Sequence, residues 1–200
     1  MAASSAPLWP EIKPDFGRLL KVFRRDGLPD RVPFIELFAD AEIVSAVAGE
    51  TPVDLLTMMT DPEARKSALR QRIRFCQMVG YDFVWAATHP ALLLRVPWLA
   101  SQDTAELARP ARVWVNESDG IIRSMADYEA FPWPSPAEVD YSELDFISEN
   151  LPEGMKVIAE TSGVLEFVMW LMGYAPFAVA LYEDPALVQA MFERVGDLMA

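Results

Sequence analysis

The stretch from Met155 to Ala200 constrains the fold more than any other. It runs from a short apolar segment through a polar turn into an almost wholly apolar helix and then an amphipathic one. A buried strand that feeds helices is the repeating unit of an α/β barrel or layered sheet. In that class, chemistry usually sits on the polar residues just past a strand's C-terminal end. Glu160, Thr161, Ser162 and Gly163 occupy that place here. The chain stops at Asp197-Leu-Met-Ala200 with no Gly or Pro stop signal, so it is expected to be part of a larger fold.

Two more segments repeat the pattern. Residues 32–38 suit a buried strand, with Asp40 placed to cap the helix that follows. Residues 82–87 suit a second, and 156–160 a third. Helices are expected on either side: a short one carrying Phe16, Leu19, Leu20 and Phe23, and one starting at Thr51-Pro52 with Thr51 as cap. A longer helix should start at Asp61-Pro62, with Leu69, Ile73 and Cys76 as its inward stripe and Gly80 as its stop. The last should start at Asp184-Pro185, with Leu187, Val188, Met191, Phe192, Val195 and Leu198 on one face. Arg112–Asn116 and Ile121–Ser124 read as a hairpin across Glu117-Ser-Asp-Gly120. Strands separated by more than forty residues and followed by helices predict parallel pairing.

Composition excludes several classes. The chain is 52% hydrophobic, which supports a large core rather than disorder beyond residues 1–10. Its net charge of −13 lies entirely in the second part: residues 1–115 balance at 14 basic and 14 acidic groups, whereas 116–200 hold 3 and 16. A phosphate backbone needs a basic stripe, and only Arg65, Lys66, Arg70, Arg72 and Arg74 approach one, so no nucleic-acid partner is expected. No apolar run reaches the roughly 18 residues of a membrane span. A single cysteine and an opening without a secretory pattern suit a cytoplasmic protein.

Three pieces of wording carry a resemblance. They are DRVPFIELFAD at residues 30–40, SMADYEAFPWPSP at 124–136, and LPEGMKVIAETSGVLEFVMWLMGY with ALYEDPALVQAMFERVGDLM towards the end. Together, over about residues 12–200, they resemble the uroporphyrinogen decarboxylase superfamily, which includes decarboxylases and corrinoid- or thiol-linked methyltransferases. The resemblance implies a single (β/α)8 TIM barrel, of which residues 1–200 would supply the N-terminal portion and about three βα units. Such an open arc is expected to aggregate, to pair with another copy, or to need a missing C-terminal half. The apolar helix Val164–Met172 should then lack cover.

The departures choose within the family. Decarboxylases resembling this chain carry an Arg-Gln-Ala-Gly-Arg-Tyr segment after the first strand, suited to substrate carboxylates. This chain has Glu36 and then Leu37-Phe38-Ala39-Asp40, two acids where the family places two arginines. Acids would repel a polycarboxylate. The favoured expectation is therefore methyl transfer between a small substrate and a corrinoid or thiol, with uroporphyrinogen decarboxylation as the alternative and a non-catalytic scaffold as a further one. The methyltransferase branch implies zinc bound by ligands beyond residue 200 and a corrinoid protein as partner; no metal site can be argued within the chain itself.

The candidate catalytic residues are Glu36, His89 and Glu160. Glu36 is a charge inside an apolar run and needs a partner or a pocket. His89 follows the second strand and could serve as a base. Asp40, Thr161, Ser162 and Gly163 are candidates for binding substrate. Asp40 and Ser162 could equally be plain helix caps, and Gly163 could open a helix start to a ligand.

Overall fold

The computed structural model describes residues 13–36, 39–88, 92, 95–101 and 112–200. In chain order its elements are α1 (Gly17–Arg24), α2 (Ala41–Ala48), α3 (Leu55–Thr60), α4 (Pro62–Val79), β1 (Phe83–Ala87), β2 (Trp98–Ser101), β3 (Arg112–Val115), α5 (Met125–Ala130), a 3-10 turn at Pro136–Glu138, α6 (Ser142–Asn150), β4 (Lys156–Glu160), α7 (Val164–Met172), α8 (Tyr174–Glu183) and α9 (Pro185–Met199). They fall into two compact units. The first takes its described residues from 1–87 and Ser142–Glu160, and the second from Thr88–Gln102, Arg112–Tyr141 and Thr161–Ala200.

The first unit is built on a parallel pair. β1 and β4 run side by side in a register that sets Phe83 opposite Lys156 and Ala87 opposite Glu160. β1 is buried on both faces, as strands of parallel sheets are: Phe83, Val84 and Ala86 are all sequestered. α4 supplies the opposing surface. Asp61 caps it, accepting from Glu63 N–H at 2.9 Å and Ala64 N–H at 3.3 Å, with Pro62 at the first helical position. Its stripe Leu69, Ile73 and Cys76 is buried with Tyr81, Phe83, Val84, Ile147 and Met155 in one core. Gly80, at φ 84, ends the helix in a conformation that glycine adopts without strain. The sequence reading of α4, β1 and β4 agrees with these elements.

Two expectations in this unit fail. The described residues 32–36 form no strand, and Val32 and Ile35 are 78% and 65% exposed. Pro33 removes a ladder donor in the middle of the run; Leu37 and Phe38 lie outside the described residues. The helix expected from Thr51 begins later, at Leu55, because Asp54 takes the cap by accepting from Thr57 N–H at 2.9 Å.

The second unit has a helical core. Phe167, Val168, Leu171 and Met172 of α7 pack with Phe177 of α8 and with Leu187, Val188, Met191 and Val195 of α9. The helix expected to lack cover is thus covered by its own neighbours, although Leu165 stays 46% exposed. The hairpin is also different: β3 pairs antiparallel with β2, not with residues 121–124. The N–H groups of Ile121 and Ile122 instead donate to Leu171 O at 2.7 and 2.9 Å, taking a carbonyl that the end of α7 leaves open. Gly120 makes that approach feasible, since a Cβ there would lie 1.8 Å from the Met172 carbonyl carbon. Among the described residues no single helix is long and apolar enough to cross a membrane; α7 and α8 are so only as a pair, bent by 95°.

Candidate functional site

The C-terminal edge of the parallel pair concentrates charge. Ala87 ends β1 and faces Glu160 at the end of β4. Glu143, the second residue of α6, is 1% exposed and accepts from Ala87 N–H at 2.8 Å. It forms an ion pair with Arg72, which α4 carries across to it. Arg72 Nη1 also donates to Trp85 O at 3.2 Å, and its guanidinium lies 5.4 Å from the centre of the Trp85 ring. A carboxylate with so little access to water persists only with such partners, because burying it unpaired is costly.

Glu160 is half-buried beside this pair. Burial raises its carboxyl above the ordinary value, Arg72 pulls it back, and Glu143 raises it again. The net effect is a carboxyl that keeps its proton to higher pH than an ordinary one, at a strand end, a setting in which general acids are found. Arg72 reaches a second feature, a cavity of about 110 Å³ between α2, α3, α4 and β1. Its walls are mostly apolar, with Val44, Val53 and Met58 among them. Ser45 and Gln71 in the wall are buried and bonded to each other at 2.7 Å.

The sequence candidates are dispersed. Glu36 is exposed and accepts from the Tyr81 hydroxyl at 3.0 Å. That contact, after burial, is what pushes the Tyr81 hydroxyl to a higher pKa. Glu36 is not brought to the Arg72–Glu143 pair by any described contact. Asp40 holds the N-cap position of α2, where its carbonyl accepts from Ile43 and Val44 N–H, but its side chain makes no capping bond. His89 lies outside the described residues. Thr161, Ser162 and Gly163 belong to the second unit, and the cap of α7 is Gly163 rather than Ser162. A Cβ at Gly163 would lie 2.3 Å from Glu166 Oε2, so a carboxylate already stands over that helix start. Of the candidates, Glu160 alone sits with other groups that tune its chemistry.

Arg72 and Glu143 escape the sequence reading, yet both leave a trace in it. Leu69, Arg72, Ile73 and Cys76 fall at i, i+3, i+4 and i+7, so Arg72 lies inside the apolar stripe of α4. Glu143 is four residues before the buried Ile147, on the same helical face. A charge at an inward position announces a buried partner.

The other end of β1 holds a second buried carboxylate. Asp82 is 1% exposed; its Oδ1 accepts from Arg18 Nη1, Arg31 Nη2 and Asp15 N–H, each at 2.9 Å. Among the described residues no three His, Cys, Asp or Glu side chains gather to hold a metal ion. Burial pushes the Cys76 thiol up to about 12, which leaves it inert as nucleophile or ligand near neutrality. No family model, curated protein or solved structure matches the chain.

Proposed function

We propose that this protein is an enzyme of the uroporphyrinogen decarboxylase type, built on a (β/α)8 barrel and moving a methyl group from a small substrate to a thiol or corrinoid acceptor. The supporting observation is Glu160, a carboxyl raised above its ordinary value by burial at the C-terminal edge of a parallel strand pair, beside Arg72 and Glu143. Removing a methyl group from an oxygen, nitrogen or sulfur leaves an electron pair on that heteroatom as the carbon–heteroatom bond breaks. Glu160 gives its proton to that atom, and Arg72 stabilises the carboxylate left behind. The acceptor supplies the electron pair for the new bond to carbon. The zinc implied by the resemblance has no donor set among the described residues, and no step is assigned to it. A lone buried thiol such as Cys76 suits work in the cytoplasm.

A polycarboxylate substrate fits this edge poorly, because Arg72 is its one cation in described contact and Glu143 already engages it. The test is to incubate the intact protein with methylated small molecules and either a thiol or reduced corrinoid. Transfer that fails in Glu160→Gln supports the reading. Coproporphyrinogen formed from uroporphyrinogen at an enzyme-like rate would overturn it in favour of decarboxylation. Absence of both reactions would leave the scaffold reading.

A further inference from the structure

Arg72 is only half used by the protein. A guanidinium carries five N–H donors. The two on Nη1 go to Trp85 O and Glu143, while Nε and Nη2 bond no other described residue. Those two nitrogens share the edge that pairs with a carboxylate through two parallel hydrogen bonds. The Arg72 side chain is 17% exposed, and it lines the cavity of about 110 Å³. An arginine pinned at one nitrogen and stacked on an indole is pre-organised, so a ligand loses little in ordering it.

We propose that this cavity binds a small monocarboxylate, its carboxylate on the Nε/Nη2 edge of Arg72 and its short branched apolar body against Val44, Val53 and Met58. Size sets the body: an apolar cavity of roughly 150 Å³ holds a benzene ring, and this one is smaller, at about 110 Å³. Charge sets the head. Among the described residues of the cavity wall Arg72 is the only cation, and Glu143 already faces it, so a monoanion suits the site better than a dianionic phosphate. The inference goes beyond the proposed methyl transfer and does not need it, since Glu160 does not line this cavity. Occupancy is measured without turnover, so the two ideas fail separately.

The experiment is titration of the protein at neutral pH with isovalerate, followed by calorimetry and ligand-observed NMR. Isovaleramide, of the same shape but uncharged, is the comparison. Binding of isovalerate with a Kd on the order of 1 mM is expected, and the amide should bind about tenfold more weakly or less. Ala68→Leu, which fills the cavity from α4 and leaves the ion pair intact, should abolish binding in a protein that still unfolds cooperatively. Arg72→Lys, which keeps charge but loses the fork, should weaken binding about tenfold. Because Arg72 also holds Glu143, the Ala68 variant and the amide decide the matter if the lysine variant fails to fold. No binding at about 20 mM isovalerate, equal binding of acid and amide, or undiminished binding by the Ala68 variant overturns the proposal.

Discussion

The two ends of β1 bury the same ingredients for different purposes. At the N-terminal end, Asp82 meets two arginines and a backbone N–H, and Arg18 reaches on to Asp30 at 2.6 Å. Arg31 also donates to Gly80 O at 2.8 Å, so the cluster ties α1 and residues 30–31 to the base of the sheet. Positive charge exceeds what Asp82 alone balances. At the C-terminal end one arginine engages the buried Glu143, and a second carboxyl, Glu160, stands close enough for both to act on it. The first arrangement holds its carboxylate among cations; the second sets a half-buried carboxyl, raised above its ordinary value, beside an arginine already engaged by Glu143. Two arginines shared between Asp82 and Asp30 tie segments together, whereas the proposed chemistry falls at the end where two carboxyls share one arginine.

The two ends of β1 should differ most in what a change at Glu160 does. Glu160→Gln keeps the size of the side chain and removes the proton. Methyl transfer should fall by about 10²–10⁴-fold, the usual contribution of a positioned general acid, measured as single-turnover rate with saturating acceptor. A rate within a few-fold of the parent would remove the chemical role from this end of the pair.

Next comes Asp82→Ala, which should affect stability and leave the chemistry of folded molecules untouched. Among the described residues, it removes the one carboxylate that Arg31 pairs with and one of the two that Arg18 pairs with, and those side chains are only 19% and 13% exposed. Deleting one partner of a buried pair costs about 3–5 kcal/mol. For a chain of this size that lowers Tm by about 6–20 °C in calorimetry. A loss of rate without loss of stability would mean that the two ends had been assigned the wrong way round.

The sequence makes one end of this comparison easier to see than the other. Periodicity identifies α4 through Leu69, Ile73 and Cys76, and α9 through Leu187, Val188, Met191 and Val195, because burial of an apolar stripe is a local property of a helix. The short runs at β1 and β4 are legible for the same reason. The run at 32–36 misleads, since its apolar composition points to a strand while the backbone obeys Pro33. Residues 121–124 mislead in another way: their donors go to Leu171, about fifty residues on, and no local pattern encodes that. Glu160 is legible from its place after an apolar run. Arg72 reads as part of a scattered basic face, because its partner Glu143 lies 71 residues away. What decides a charged residue's role is the partner it reaches, and that is a property of the fold.

Glu143→Gln sharpens the comparison by separating support from chemistry. The amide oxygen can still accept from Ala87 N–H, but the charge that faces Arg72 is gone. A net loss of about 1.5–3 kcal/mol is expected, typical for hydrogen bonds to charged groups. The rate should change in its pH dependence more than in its maximum. Glu143 raises the Glu160 carboxyl, so its removal lets Arg72 draw that carboxyl lower. The fall in rate as Glu160 loses its proton should therefore begin at lower pH than in the parent. A pH profile that merely scales down, without moving, would make Glu143 a structural anchor only.

The smallest effect is on stability against pH, and its sign is opposite to that of an ordinary paired carboxylate. Burial, and then Glu143, raise Glu160 in the folded protein above its unfolded value. Between the two values the folded state holds more protons than the unfolded one, so this group makes stability fall as pH rises. Below the unfolded value, about 4.3, both states are protonated and Glu160 behaves like its neutral isostere. Glu160→Gln should therefore match the parent in acid and exceed it at neutral pH, because the amide never has to ionise in a half-buried place. The measurement is the difference in Tm between variant and parent from about pH 3.5 to 8, a window that brackets the unfolded value and cancels the acid sensitivity of the other carboxylates. Asp30 makes the natural control at the opposite end: it is exposed, and its hydrogen bond to Arg18 lowers its carboxyl, so Asp30→Asn should cost stability at neutral pH, a cost that shrinks as pH falls below the ordinary carboxyl value towards the lowered one. If Glu160→Gln instead loses stability as pH rises, Glu160 is an ion-paired carboxylate like Asp30, and the two ends of β1 are alike.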